Sequence, residues 1–181
     1  MMNEIVAHND LKIRIEKNFF SSYESGEYLN KFIKLLPWES MTIKMFGKEV
    51  TIPRLQCWIG DENCEYKYSG KKLNRQDWNS ELLKIRKKIK NEFAIDFNSV
   101  LANYYRDGKD SMGWHADDEK ELGPNPTIAS ISFGSERNLF FRNNYTKETL
   151  SIPQENGSLI IIDGKTQKNW QHSIKKTQKI I

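Results

Sequence analysis

Apolar residues recur at helical spacing in two places along the chain. Leu29, Phe32, Ile33 and Leu36 form one stripe, which Pro37 stops, so a helix is expected over residues 24–36. Leu82, Ile85, Ile89 and Phe93 form the other, with Lys84, Arg86, Lys87, Lys88 and Lys90 mostly on the remaining faces, and predict an amphipathic helix over 79–92. From residue 97 onward the helical period gives way to short strand-like runs: SVLANYY, TIASISF, NLFFR, TLSI, SLIIID and NWQHSI. Turn pairs at Asp107-Gly108, Gly123-Pro124, Asn143-Asn144, Asn156-Gly157 and Asp163-Gly164 separate them. The pattern predicts an α+β protein, with N-terminal helices packed against a double-sheet β-core of sandwich or jelly-roll type.

Composition adds bounds. At 181 residues the chain is long enough to bury a core without disulfide or metal staples, so a single domain is expected. A hydrophobic share of 38% exceeds that of a disordered chain, and no run approaches the roughly 20 apolar residues of a membrane span. Cys57 and Cys64 match no zinc knuckle and read as plain thiols of a reducing compartment. The N-terminal stretch has no apolar signal core, so the protein is not expected to be secreted.

The net charge of +4 hides a segregation. Residues 71–90 hold eight Lys/Arg against two acids, and residues 165–181 hold five Lys and no acid. Between them, residues 107–123 carry Asp107, Asp110, Asp117, Asp118, Glu119 and Glu121 against two lysines. Basic flanks around an acidic centre suit a protein that grips a polyanion and holds a cation; solvated surface is the plainer reading.

Of the three histidines, His8 falls in a stretch expected to be loose. His115 and Asp117 form His-x-Asp, and residues two apart on an extended segment point the same way. With His172 on a later strand they would make a two-histidine, one-carboxylate set that suits Fe(II) and leaves positions open. Zinc accepts the same ligands, and a satisfied His-Asp pair beside an unrelated histidine has the same spacing.

Further residues narrow this. Asn103, Tyr105 and Gly108 precede His115, Asp117 and Glu119; Pro126, Ser130, Ser132 and Gly134 follow, then Phe140, Phe141 and Arg142. In that order they resemble the metal-site region of the AlkB family of Fe(II)/2-oxoglutarate dioxygenases, in its branch that repairs alkylated double-stranded DNA. The segment MFGKEVTIPRLQCWIGDENCEYKYSG, residues 45–70, is similar to that branch's substrate lid.

The resemblance implies a double-stranded β-helix (jelly-roll) core with N-terminal supporting helices and a β-hairpin nucleotide-recognition lid. Within one dioxygenase domain, residues 1–40 would form an N-terminal extension and helix, 41–70 the lid, 71–96 a supporting helix and 97–181 the core. It implies His115, Asp117 and His172 as Fe(II) ligands and catalytic residues, and Asn103 and Tyr105 as contacts to the co-substrate 2-oxoglutarate, with O₂ as oxidant. Phe46 becomes the wedge entering the DNA stack, Arg54 a further substrate contact, and Tyr66 and Tyr68 the walls of a base pocket. Asp118 and Glu119 would favour a cationic methylated base over a neutral one.

The implied function is repair of N1-methyladenine and N3-methylcytosine by oxidative demethylation, releasing formaldehyde, succinate and CO₂. The enzyme would be a monomer acting on alkylated, double-stranded DNA, in the cytoplasm of a bacterial or viral host or in a eukaryotic nucleus. The same chemistry on RNA or single-stranded DNA is one alternative. The family also closes with an Arg-x-Asn-x-Thr-x-Arg strand that clamps 2-oxoglutarate, and Ile181 precedes any such motif. Lys175, Lys176 and Lys179 would be inferior clamps. The expectation is therefore an active enzyme read short of its last core strand, the other alternative being a catalytically silent nucleic-acid-binding module.

Overall fold

The computed structural model describes residues 3–179 apart from 9, 46, 66, 69 and 70, and only the backbone of residues 3, 44, 45, 67, 68, 71 and 72. In chain order the elements are β1 (Asn3–His8), β2 (Leu11–Glu16), α1 (Ser22–Leu35), β3 (Glu39–Met45), β4 (Lys48–Gly60), β5 (Lys67–Tyr68), β6 (Lys71–Lys72), β7 (Arg75–Gln76) and α2 (Ser80–Phe93). There follow β8 (Ser99–Tyr104), β9 (Met112–His115), β10 (Ile128–Ile131), β11 (Arg137–Asn143), β12 (Thr149–Gln154), β13 (Leu159–Ile162), α3 (Thr166–Asn169) and β14 (Trp170–Ile174). They group into two compact units, residues 1–35 with 106–181, and residues 36–105.

The first unit is the jelly roll. One four-stranded sheet runs β1-β2-β13-β10 and the other β12-β11-β14-β9, with antiparallel pairing throughout. Leu11, Ile13 and Ile15 of β2, all four residues of β13, Leu139 and Phe141 of β11, and Ile152 of β12 fill the core. Gln154 on β12 donates from Nε2 to Ser130 Oγ on β10 at 3.0 Å, which ties one sheet to the other. Helix α1 begins on a capping box: Ser21 Oγ accepts from the Glu24 N–H at 3.2 Å, and the Glu24 carboxylate accepts from the Ser21 N–H at 2.8 Å. Its Tyr28 and Phe32 pack on Phe133, and Tyr28 also meets Phe20.

The N-terminus departs from the expected loose extension. Residues 3–16 are a hairpin that supplies two of the first sheet's four strands, turning through Asp10 at φ 67°. Leu11, Ile13 and Ile15 alternate with Lys12 and Arg14, the period-two signature of a half-buried strand, so the cue was present in the sequence.

The second unit is built on β4, flanked by β3 and β8 antiparallel and β7 parallel. Ser99–Tyr104, expected at the start of the jelly-roll core, pairs here with Leu55–Gly60. Helix α2 is capped by the Asn79 side chain, which accepts from the Leu82 N–H, and it ends at Ala94 in the left-handed region. Leu82, Ile85 and Ile89 are its buried stripe, as the spacing predicts. Among the described residues, no helix is long and apolar enough to cross a membrane.

Candidate metal centre

β9 and β14 are antiparallel neighbours, and their register sets His115 directly opposite His172, with the two rings 4.2 Å apart. The pairing shifts by a bulge between His172 and Ile174. Asp117 lies just past the end of β9, in a bend rather than on the extended strand the spacing suggested. Its carboxylate reaches within 3.6 Å of His115 Nε2 and 3.4 Å of His172 Nε2. The potential ligand atoms of the three residues all fall within 4.8 Å of one another.

Neighbours hold this set in place. His115 Nδ1 lies 3.0 Å from the Gly113 carbonyl. A carbonyl can only accept, so Nδ1 is the donor of this bond and Nε2 is the nitrogen turned towards Asp117. The Asp117 N–H donates to Gln167 Oε1 at 3.0 Å, from a buried side chain on α3. Gln167 escapes sequence reasoning, because a lone glutamine in a four-residue helix has no periodicity to mark it. Phe141 packs beneath His172, with ring centroids 6.0 Å apart.

The electrostatics favour a cation. His172 is only 6% exposed, and burial, with the His115 charge adding to it, lowers its pKa well below the ordinary imidazole range. It is therefore neutral at pH 7, the form in which an imidazole can ligate a metal. Burial also pushes the Asp117 carboxyl up, against the pull of His115. A bound cation would reverse that shift and return the carboxylate to its charged form. Two imidazoles and one carboxylate, with His115 and Asp117 held by hydrogen bonds to their neighbours, are a donor set that could hold a divalent metal and leave positions open.

The other expected residues are distributed as follows. Asp118 is exposed and Glu119 partly buried, both directly after Asp117. Asn103 lies on β8 and Tyr105 just past its end, both partly buried. Arg54 is only 2% exposed, and its Nε donates to Asn103 Oδ1 at 2.8 Å, so it is an interior residue of the second unit. Phe46 and Tyr66 lie outside the described residues, as does the side chain of Tyr68. Phe140 and Phe141 point to opposite faces of β11. Phe141 lies under the histidines, while Lys175 Nζ sits 4.0 Å over the Phe140 ring and the Arg142 guanidinium 4.4 Å over Trp114. Gly108 is required by packing, since a Cβ there would run into the Thr177 carbonyl.

The charge segments also resolve. Lys84, Arg86, Lys88 and Lys90 of α2 pair with Glu81, Asp61 and Asp96, Glu92, and Asp96. In the acidic segment, Asp110 is buried and held by Arg106 through Nε at 2.8 Å and Nη2 at 2.9 Å. Only part of that segment therefore surrounds the candidate metal site.

Comparison with known proteins agrees with this geometry. The sequence model of the 2OG-Fe(II) oxygenase superfamily matches residues 12–180. The chain is 35% identical over 178 residues to alpha-ketoglutarate-dependent dioxygenase alkB homolog 3 of Mus musculus, covering 91% of this chain and 60% of that protein. It is 33% identical over 166 residues to DNA oxidative demethylase ALKBH2 of Homo sapiens, covering 87% and 64%. It thus spans about 60% of the length of these curated relatives. The solved structure of OsALKBH1 superposes on 91% of this chain and 85% of its own with a TM-score of 0.66 at 13% identity, a likeness of fold. Fe(II), 2-oxoglutarate and O₂ are the cofactor and co-substrates of the superfamily, and the His115, Asp117 and His172 donors fit the iron. The chain belongs to the 2OG-Fe(II) oxygenase superfamily, in its AlkB family.

Proposed function

We propose that the protein is a dioxygenase that removes N-alkyl groups from nucleic-acid bases, N1-methyladenine and N3-methylcytosine foremost. The observation that carries this is the convergence of His115 on β9, Asp117 just past its end and the buried His172 on the facing strand β14 of a jelly roll. With 2-oxoglutarate and O₂, bound iron supplies the oxidation that hydroxylates the N-methyl group, which then leaves as formaldehyde alongside succinate and CO₂.

The chain's own part is binding, orientation and selection. Gly113 and Gln167 fix His115 and Asp117, and burial keeps His172 neutral and ready to ligate. Asn103 and Tyr105 are proposed to donate to the co-substrate's carboxylates. Asp118 and Glu119 are proposed to select the cationic methylated base by charge. The lid would comprise the β3–β4 hairpin, paired up to Met45 and Lys48, with Phe46 as wedge and Tyr66 and Tyr68 as base platform. The partly buried Arg142 and the exposed Lys175, cations on the outer face of the second sheet, suit a phosphate backbone. The relatives' names include a DNA oxidative demethylase, which supports DNA as the substrate.

Formaldehyde release from a methylated oligonucleotide, dependent on Fe(II) and 2-oxoglutarate, tests the assignment. It is expected from the native protein and should vanish in His115→Ala and Asp117→Ala; activity that survives both removes the proposal. A duplex substrate is proposed over a single strand because a wedge is useful only where a stack must be refilled. Phe46→Ala should then slow repair of duplex more than of single strand, and equal loss on both would count against the wedge.

A further inference from the structure

Three side chains of the second unit form a chain of hydrogen bonds whose polarity can be read without ambiguity. Arg54 Nε lies 2.8 Å from Asn103 Oδ1. A guanidinium has no lone pair to offer, so the atom facing it must be the amide oxygen. Gln56 lies 2.9 Å from the same oxygen and must likewise present its Nε2 as donor. With two donors on one carbonyl oxygen, Asn103 cannot turn its amide over without setting its NH₂ group against the Arg54 donor. Among the described residues its Nδ2 meets only the Leu101 carbonyl, at a long 3.4 Å.

Gln56 keeps this orientation at a cost. It is 3% exposed, and its Oε1 is buried with no hydrogen-bond partner among the described residues. Buried polar atoms are satisfied in the great majority of cases, so an amide held with its oxygen unpaired marks a constraint imposed from the other end. Here that end is Asn103, held in turn by Arg54.

We infer that Arg54 and Gln56 are positioning residues that lock the Asn103 carboxamide as a hydrogen-bond donor for a carboxylate of 2-oxoglutarate. The inference rests on the proposed co-substrate role of Asn103 and deepens it. It moves Arg54 from the nucleic-acid contacts, where resemblance put it, to the support of the co-substrate site. The arrangement suits an anion, because Asn103 can offer only a donor and the buried Arg54 charge lies directly behind it.

The test is 2-oxoglutarate affinity by calorimetry on the full-length protein loaded with Mn(II) in place of iron, without nucleic acid. Asn103→Asp keeps both bonds to Arg54 and Gln56 but removes the donor, so the fold should hold and 2-oxoglutarate binding should be lost. Arg54→Met, a near-isosteric apolar replacement, should weaken 2-oxoglutarate by about tenfold or more, as expected for a misplaced donor to a charged group, and Arg54→Lys should recover part of that loss. Mn(II) affinity should stay near native in all three. If Arg54→Met leaves 2-oxoglutarate affinity unchanged and weakens methylated DNA instead, Arg54 touches substrate and the inference fails. Native-like 2-oxoglutarate affinity in Asn103→Asp also overturns it, and decides the matter alone if Arg54→Met does not fold. Absence of 2-oxoglutarate binding by the native protein would instead remove the functional reading on which the inference stands.

Discussion

Burial pushes the Cys57 thiol up to about 11, and the Glu39 charge adds to the effect. Cys64 is partly exposed, with its Sγ 3.7 Å from the Asn98 carbonyl. Alkylation follows thiolate fraction and access. In the folded protein at pH 8, iodoacetamide should therefore label Cys64 and spare Cys57 until denaturant is added, as peptide mass mapping would show. Asp110 offers a second test at the same scale. The Arg106 guanidinium holds its carboxyl below the usual carboxylate range, against the opposing effect of burial. A group depressed in this way adds stability that is complete above its unfolded pKa and fades as pH falls through the folded one. Asp110→Asn should cost about 1–2 kcal/mol at pH 7, on the scale of a charge-assisted hydrogen bond to a half-exposed arginine. The deficit in urea unfolding should hold down to about pH 4 and narrow below it.

Among the elements, the β12–β13 connection is held by both its backbone angle and its surroundings. Gly157 has φ 78°, and a Cβ there would run into the Phe20 carbonyl and the Ser25 hydroxyl. Its N–H donates to the Ser132 carbonyl at 2.7 Å and its own carbonyl accepts from the Phe20 N–H at 2.9 Å, so the turn joins three segments of the jelly roll. Gly157→Ala should destabilise by about 2–4 kcal/mol, visible as a drop in Tm, because strain and steric conflict add. The same scale shows what could be read from sequence. Both long helices lie within about two residues of their expected spans, since an apolar stripe with a breaker or a cap is local information. The strand runs after residue 97 are strands, but that of Ser99–Tyr104 pairs with β4. Periodicity marks a strand and says nothing of its partner. The N-terminal hairpin was legible in Leu11-Lys12-Ile13-Arg14-Ile15, yet such a short alternation is easily passed over beside a charged terminus.

Over the whole molecule, the sequence's division of charge maps only partly onto function. The cations of α2 are largely spent on ion pairs with Asp61, Glu81, Glu92 and Asp96, which a formal charge count cannot reveal. Such surface pairs are individually weak, and the α2 cations are therefore not a ready-made polyanion surface. The candidate metal set follows from motif order, whereas Gln167, which fixes Asp117, and the Arg54 and Gln56 bonds to Asn103 become visible only where the fold brings distant segments together. The central claim is that His115, Asp117 and His172 form one cation site. Titration of Mn(II) into metal-stripped protein tests it most directly. One ion should bind per native chain and none with comparable affinity to Asp117→Ala, while undiminished binding by Asp117→Ala would contradict the account.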